Sequence, residues 1–118
     1  MKANILVATL VLGLFSCATT PHKSVEKMIV EFPVHAEKQA EFIAAINKVL
    51  VDTRAFDGCV SVTVWTNEKD NDTVWLYEEW ATREHQVAYL NWRKETGNTS
   101  HLSAFLNGAP RFLWLEQH

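Results

Sequence analysis

Residues 73–80 constrain the fold most strongly, because they predict a β-strand that is apolar on both faces. Side chains alternate between the two faces of a strand. On one face the apolar side chains are Val74, Leu76 and Trp80. On the other face they are Trp75 and Tyr77. One layer of helices covers only one face of a sheet, so the second face would otherwise be a large exposed apolar patch. We therefore expect a homodimer in which two sheets pack face to face.

The rest of the sequence alternates strand and helix patterns around this strand. Strand patterns cover residues 27–34, 59–65 and 111–116, and helix patterns cover residues 36–54, 82–95 and 100–107. The first helix pattern carries one apolar stripe, formed by Phe42, Ile43, Ile46, Val49 and Leu50. The order strand, helix, strand, strand, helix, helix, strand predicts an α+β fold, a ferredoxin-like antiparallel four-stranded sheet with helices on one face.

The second strand pattern alternates strictly, which places Val60, Val62 and Val64 on one face. Cys59 opens that strand. We interpret it as a small buried apolar residue, with a reactive thiol as the alternative. The only other cysteine is Cys17, so we expect no disulfide framework.

The N-terminal segment predicts an export signal. Lys2 precedes a largely apolar run over residues 5–15, which is too short to span a membrane as a helix. Residues 14–17 resemble a bacterial lipobox, in which Cys17 is lipidated and becomes the new N-terminus. Ordinary cleavage after Ala18 is the alternative, and a buried helix over the apolar run is a third interpretation.

The lipoprotein interpretation divides the chain into residues 1–17 as signal peptide, 18–25 as tether and 26–118 as the folded domain. We expect an exported protein that a lipid anchor holds at a membrane, in the periplasm or at the cell surface. The remaining hundred or so residues suffice for one small domain. Loss of Lys2 with the signal leaves ten basic and fourteen acidic side chains, a net charge of −4. We therefore expect no basic patch for nucleic acid.

Three phrases of the sequence resemble the antibiotic biosynthesis monooxygenase family. They are residues 32–34 followed by Phe42, residues 53–59, and residues 77–80 followed by residues 89–90. The resemblance extends over residues 27–116. It implies a dimeric α/β barrel with a pocket in each subunit between the sheet and the later helices. It also implies oxidation of quinols, anthrones and other electron-rich aromatics by O2, with no metal, flavin or other cofactor.

The haem-degrading branch of that family is a poor fit to this sequence. The branch uses an Asn on the first strand together with a Trp and a His on the helix side, whereas residues 27–34 contain no Asn. Tyr89 stands where the branch has its Trp, and His101 reaches the position of the His only with a small insertion. The resemblance therefore favours the oxygenases, without excluding haem.

The second long helix pattern carries the candidate site. His85, Tyr89 and Trp92 lie at i, i+4 and i+7, so an imidazole, a phenol and an indole share one face. We assign His85 and Tyr89 as catalytic residues, a base and a proton relay near neutral pH. Trp80, Trp92 and Arg93 are assigned to substrate binding. The alternative is structural, because such amphipathic side chains also pack on half-buried helix faces.

Two functions are consistent with these observations. The first is a cofactor-independent monooxygenase that oxidises a quinol-like or phenolic aromatic with O2. The alternative is a non-catalytic, ligand-binding exported lipoprotein with the same fold. No spacing of histidines and carboxylates predicts a metal site. Trp65 and Trp75 are expected at the dimer face.

Overall fold

Four strands and two long helices make up most of the computed structural model, which describes Gly13 and residues 24–118. The elements are β1 (Glu26–Pro33), α1 (Gln39–Ala55), β2 (Cys59–Trp65), β3 (Thr73–Trp80), α2 (Arg83–Thr96) and β4 (Arg111–Leu115), with 3-10 turns at Ala36–Lys38 and Ser100–Phe105. The rest of the predicted signal peptide, Cys17 and most of the tether lie outside the described residues. Within the described part of the chain, no helix has the length and apolar character needed to cross a membrane.

The strands form one antiparallel sheet in the order β2-β3-β1-β4. This is the ferredoxin-like arrangement, so the fold predicted from the order of the elements is confirmed. Val30 of β1 lies opposite Leu76 of β3 and opposite Phe112 of β4. Opposite residues of an antiparallel pair share a face. This face, which we call the core face, is the one that the helices cover.

Helix α1 packs its apolar stripe against the core face. Its buried residues are Phe42, Ile46, Val49, Leu50 and Thr53. They recur with the helical period, as the sequence predicts, except that Ile43 is only half-buried. The Phe42 ring lies 5.2 Å from the ring of Phe32, centroid to centroid, and so joins α1 to β1.

The prediction that Val60 shares a face with Val62 and Val64 is wrong. Cys59 pairs with Trp80 and Ser61 pairs with Glu79, so a β-bulge leaves Val60 without a partner in β3. An extra residue shifts the alternation of the strand by one position. Val60 is consequently 53% exposed, and Cys59 packs against the core in its place.

Cys59 is a free, half-buried thiol. Burial raises the pKa of this thiol, the nearby Glu78 carboxylate raises it further, and Arg54 partly opposes the two. The thiolate is the nucleophilic form of cysteine. This environment therefore fits the interpretation of Cys59 as a packing residue better than that of a reactive thiol.

The opposite face of the sheet is also apolar. Its large apolar side chains, which define what we call the outer face, are Ile29, Trp65, Trp75, Tyr77, Leu113 and Leu115. An open groove of about 500 Å³ runs among the first four. The Trp75 indole donates to Glu31 at 3.1 Å and the Tyr77 hydroxyl donates to Glu79 at 2.9 Å. The polar tips of both aromatics are thus satisfied within the chain, and their rings remain accessible.

Candidate functional site

A cavity of about 140 Å³ lies between the core face of the sheet and helix α2. Its apolar walls include Val30, Ile46, Leu50, Leu76, Leu102 and Phe112. Its polar lining includes Glu78, Gln86, Tyr89 and Arg93. An apolar cavity with a few polar groups is the usual form of a small-molecule site. We therefore take this cavity as the candidate functional site.

Glu78 is a buried carboxylic acid on the floor of the cavity. The alternation of β3 places it on the core face between Leu76 and Trp80, where it is only 4% exposed. Its Oε2 accepts a hydrogen bond from Nε1 of Trp80 at 2.7 Å. Burial raises the pKa of this carboxyl, and the hydrogen bond from Trp80 offsets part of the rise. Glu78 is therefore a stronger base than an exposed glutamate.

Gln86 faces the same cavity from helix α2 and is also only 4% exposed. Among the described residues, no partner hydrogen-bonds to its side-chain amide. A buried polar side chain is normally hydrogen-bonded. The Gln86 amide is therefore free to bind a polar group that enters the cavity.

Tyr89 and Arg93 line the cavity as parts of a hydrogen-bond network between the two helices. The Tyr89 hydroxyl accepts from Arg93 Nε at 2.9 Å and lies 2.6 Å from Oγ1 of Thr53. Arg93 also donates to Thr53 Oγ1 at 3.1 Å, to the Val49 carbonyl at 2.8 Å and to Asn98 at 2.8 Å. The polar atoms of Tyr89 and Arg93 are therefore occupied by the protein itself.

A layer of aromatic rings stands behind the cavity. Trp80 is fully buried, and its ring lies 5.2 Å from the ring of Tyr89. Trp92 lies 5.4 Å from Phe56 and 6.1 Å from Tyr89, and the guanidinium of Arg93 sits 4.6 Å from its ring centroid. Such aromatic and cation-π contacts stabilise the packing of α2. The two tryptophans support the lining of the cavity from behind.

His85 lies at the start of α2 and does not line this cavity. Its Nδ1 is 2.7 Å from the Thr82 hydroxyl, and its Nε2 is 3.6 Å from the exposed carboxylate of Asp57. The ring packs so closely on Gly58 that a Cβ at that glycine would lie 2.2 Å from it. Gly58 also has a φ of +85°, so both space and backbone conformation favour glycine there.

The structure thus separates the five residues that the sequence assigns to the site. It brings Tyr89 and Arg93 to the cavity wall, places Trp80 and Trp92 behind it, and leaves His85 apart. Their catalytic and binding roles stay predictions. The described residues contain no group of three or more His, Cys, Asp or Glu side chains that could hold a metal ion.

Sequence reasoning missed the two least satisfied polar groups of the cavity. Glu78 alternates with Leu76 and Trp80 in a strand, which is the signal that could have identified it as inward-facing. Gln86 precedes Tyr89 by three residues and Arg93 by seven, so it shares their face of the helix. Both signals are present in the sequence.

Glu78→Gln should stabilise the protein at neutral pH. Because the pKa of Glu78 is raised in the folded state, the stabilising contribution of its protonated form is lost as pH rises through that pKa. Glutamine mimics the protonated acid and can still accept the Trp80 hydrogen bond. Thermal unfolding should therefore show equal midpoints at acidic pH and a higher midpoint for the variant at neutral pH. Glu68→Gln is the control, because Glu68 is in the exposed turn before β3. It should leave the unfolding midpoint unchanged at both acidic and neutral pH.

Comparison with solved structures shows the same fold. A protein from Methanosarcina mazei is 16% identical, with a TM-score of 0.70 over 81% of this chain and 95% of its own. An antibiotic biosynthesis monooxygenase is 15% identical, with a TM-score of 0.68 over 79% and 98%. A monooxygenase from Streptomyces coelicolor, in complex with nanaomycin D, is 21% identical, with a TM-score of 0.66 over 81% and 89%.

Comparison of sequences identifies the family. No curated protein sequence matches the chain. The sequence profile of antibiotic biosynthesis monooxygenases matches residues 27–97, which is more than half of the chain and extends from the second residue of β1 through α2. By this match the chain belongs to the antibiotic biosynthesis monooxygenase family.

Proposed function

We propose that this protein is a monooxygenase that oxidises a small phenolic or quinol-like aromatic with O2, without a metal or flavin. The observation that carries the proposal is the cavity between the core face and α2. Its walls are apolar enough for an aromatic ring, and a buried carboxyl and amide face into it. Membership of the family supports the same reaction class.

The substrate itself supplies the electrons in this reaction. Loss of the phenolic proton gives an electron-rich anion, which passes one electron to O2 and then combines with the superoxide formed. The resulting peroxide sits on a ring carbon that carries hydrogen. The C–H and O–O bonds then break, that hydrogen leaves as the proton of the departing hydroxide, and the carbon becomes a carbonyl. One oxygen atom enters the ring as a quinone oxygen, and the other leaves as water. The protein has to bind the ring, accept a proton and exclude bulk water.

The volume of the cavity favours a single aromatic ring. An apolar cavity of about 150 Å³ in another protein binds benzene, and the cavity here measures about 140 Å³. A fused tricyclic ring system would extend beyond this volume. Within the family's range of aromatic substrates, we therefore propose monocyclic phenols and hydroquinones.

Oxygen uptake tests this proposal directly. Purified protein should consume O2 faster with phenol or hydroquinone than with anthrone, after subtraction of each compound's rate of autoxidation. Leu102→Phe fills the cavity from a buried position and should lower kcat/KM about tenfold, which corresponds to about 1.4 kcal/mol of lost binding, because the added ring occupies volume that the substrate needs. Val51→Phe, a similar enlargement on an exposed part of α1, is the matched control and should leave kcat/KM unchanged.

Two outcomes would contradict the proposal. If no compound is consumed faster than it autoxidises, although monocyclic phenols bind in the cavity, the protein is a ligand-binding member of the family. If anthrone is the best substrate, the size argument fails. His85→Ala and Tyr89→Phe test the sequence-based assignment in the same assay, because unchanged rates would remove both residues from the catalytic machinery.

We further propose that the protein acts as a homodimer packed through the outer face. Ile29 stands at the centre of this face, opposite Tyr77 on one side and Leu113 on the other. Trp65, at the edge of the face, is 59% exposed. A contiguous aromatic and aliphatic surface of this kind is typical of an interface. The hydrogen bonds of Trp75 to Glu31 and of Tyr77 to Glu79 support this, because the polar tips of these two aromatic side chains would stay satisfied on docking.

Export and lipid anchoring complete the proposal. They rest on the apolar N-terminal run and on Cys17 at the end of the lipobox-like phrase. The reaction proposed here requires only substrate and O2, so it is compatible with a location that lacks reduced nucleotides. The mass of the mature N-terminus distinguishes a diacylated Cys17 from a chain that begins at Thr19 after ordinary cleavage.

A further inference from the structure

We propose that Gln86 and Glu78 together bind the hydroxyl group of the substrate. The Gln86 amide donates a hydrogen bond to the phenolic oxygen, and Glu78 accepts the phenolic proton. The inference rests on the proposed function, since it names the two groups that hold and deprotonate the substrate in the same cavity.

Gln86 supplies the first observation. Its side chain is buried in a cavity wall, and no partner among the described residues hydrogen-bonds to the amide. The amide atoms are not closed off from the cavity, because Asp70 Oδ1 is the one inaccessible side-chain nitrogen or oxygen without a hydrogen-bond partner among the described residues. A leucine of similar volume would line the same wall without offering a hydrogen-bond donor or acceptor. The amide at this position is therefore available to a polar group on the ligand.

Glu78 supplies the second observation. Trp80 is fully buried and donates to Oε2 at 2.7 Å, which fixes the orientation of the carboxyl group. Among the described residues, no hydrogen-bond donor reaches the other oxygen, Oε1. Glu78 lines the cavity, so Oε1 is the atom of this residue that a ligand can use. A carboxylate held by one oxygen and free at the other is suited to accept a proton.

The other polar residues of the cavity are less suited to this role. The Tyr89 hydroxyl contacts both Thr53 and Arg93, and Arg93 donates to four protein acceptors. Binding a hydroxyl through either residue would break hydrogen bonds that join the helices. Gln86 and Glu78 can bind it without breaking any contact within the protein.

The proton balance is complete with O2 as oxidant. The phenolic proton moves to Glu78 Oε1, while the Gln86 amide hydrogen-bonds to the phenolate oxygen. After the peroxide collapses, the hydroxide that leaves takes the proton back from Glu78 as water. The charged or titratable groups near Glu78 are Cys59 on β2, whose pKa Glu78 raises, and Arg54 on α1, which donates to the carbonyl of Val62 opposite Glu78. Tyr89 and Arg93 line the same cavity from α2.

Binding of phenol and of toluene, measured by calorimetry on the full-length protein, tests the role of Gln86. The two ligands have similar shapes, and only phenol carries a hydroxyl. Gln86→Leu should weaken phenol binding up to about tenfold, the loss expected for one hydrogen bond to a neutral hydroxyl, and should leave toluene binding unchanged or tighter. Equal changes for both ligands, or no change for phenol, would overturn the assignment of Gln86.

Oxygen uptake tests the role of Glu78. Glu78→Gln should lower kcat at least about a hundredfold, the usual contribution of a positioned base, while KM for phenol changes little. The rise of kcat with pH that reports deprotonation of Glu78 should disappear in the variant. Circular dichroism verifies that each variant is folded. A variant that retains the wild-type rate and pH profile overturns the assignment of Glu78.

The two assays also separate this inference from the proposed function. If the wild-type protein consumes no O2 with any phenol, the proposed function and the proton-accepting role of Glu78 both fail. A phenol-specific loss of binding in Gln86→Leu would still establish the hydroxyl contact. If the wild-type protein is active but Gln86→Leu and Glu78→Gln are both unaffected, the function stands and this inference fails.

Discussion

Arg93→Met should lower the free energy of unfolding by about 3–5 kcal/mol. The guanidinium is 6% exposed and joins α2 to α1 through the Val49 carbonyl, the Thr53 hydroxyl and the Tyr89 hydroxyl. Hydrogen bonds from a charged donor contribute about 1.5–3 kcal/mol each and are not additive, and buried acceptors without a donor add a further cost. Loss of the cation-π contact with Trp92 acts in the same direction.

Arg83→Met is the matched control for this prediction. Arg83 is on the same helix, but its side chain is 54% exposed. It pairs with Glu26 at 3.2 Å and lies 4.8 Å from the centroid of the Trp114 ring. Exposed ion pairs contribute about 0–1 kcal/mol. Urea unfolding at a fixed protein concentration should separate the two variants clearly. If both variants lose a similarly small free energy of unfolding, the hydrogen bonds of Arg93 contribute little to the packing of α2 on α1.

The sequence predicts the fold well where local pattern and tertiary packing agree. Strand β3 buries every second side chain in the core, and helix α1 buries one apolar stripe there. The ends of α2 also follow local chemistry, because the Thr82 side chain accepts from the His85 backbone and Gly97 adopts a φ of +63°. These features depend on residues close in sequence, so they can be recognised without the rest of the chain.

The site is harder to predict because it depends on contacts between distant elements. The helical period places His85, Tyr89 and Trp92 on one face, but α2 extends past the cavity at its start, which leaves His85 outside. One hydrogen bond of Arg93 goes to the backbone carbonyl of Val49 on α1, which is 44 residues away in sequence. Sequence spacing cannot show that the guanidinium of Arg93 already has hydrogen-bond partners within the protein. It also cannot show that the amide of Gln86 has none among the described residues.

Ile29→Lys should convert the homodimer proposed here into a monomer. Ile29 lies at the centre of the outer face, between Tyr77 and Leu113. Burying an unpaired charge in the centre of an apolar interface costs several kcal/mol. The dimer dissociation constant should therefore rise at least about a hundredfold. The isolated subunit should remain folded, because the side chain is on the face opposite the core and a lysine there can extend into water.

Sedimentation equilibrium over a range of concentrations measures the expected change, with Val51→Lys as the control. Val51 is 65% exposed on helix α1, so the same charge introduced there should leave the dimer intact. If the wild-type protein is a monomer at every concentration, or if Val51→Lys dissociates it as well as Ile29→Lys, the outer face is not the dimer interface. The apolar residues of β3 that point away from its core would then require a different partner, since two apolar faces on one strand exceed what the helices of a single subunit can cover.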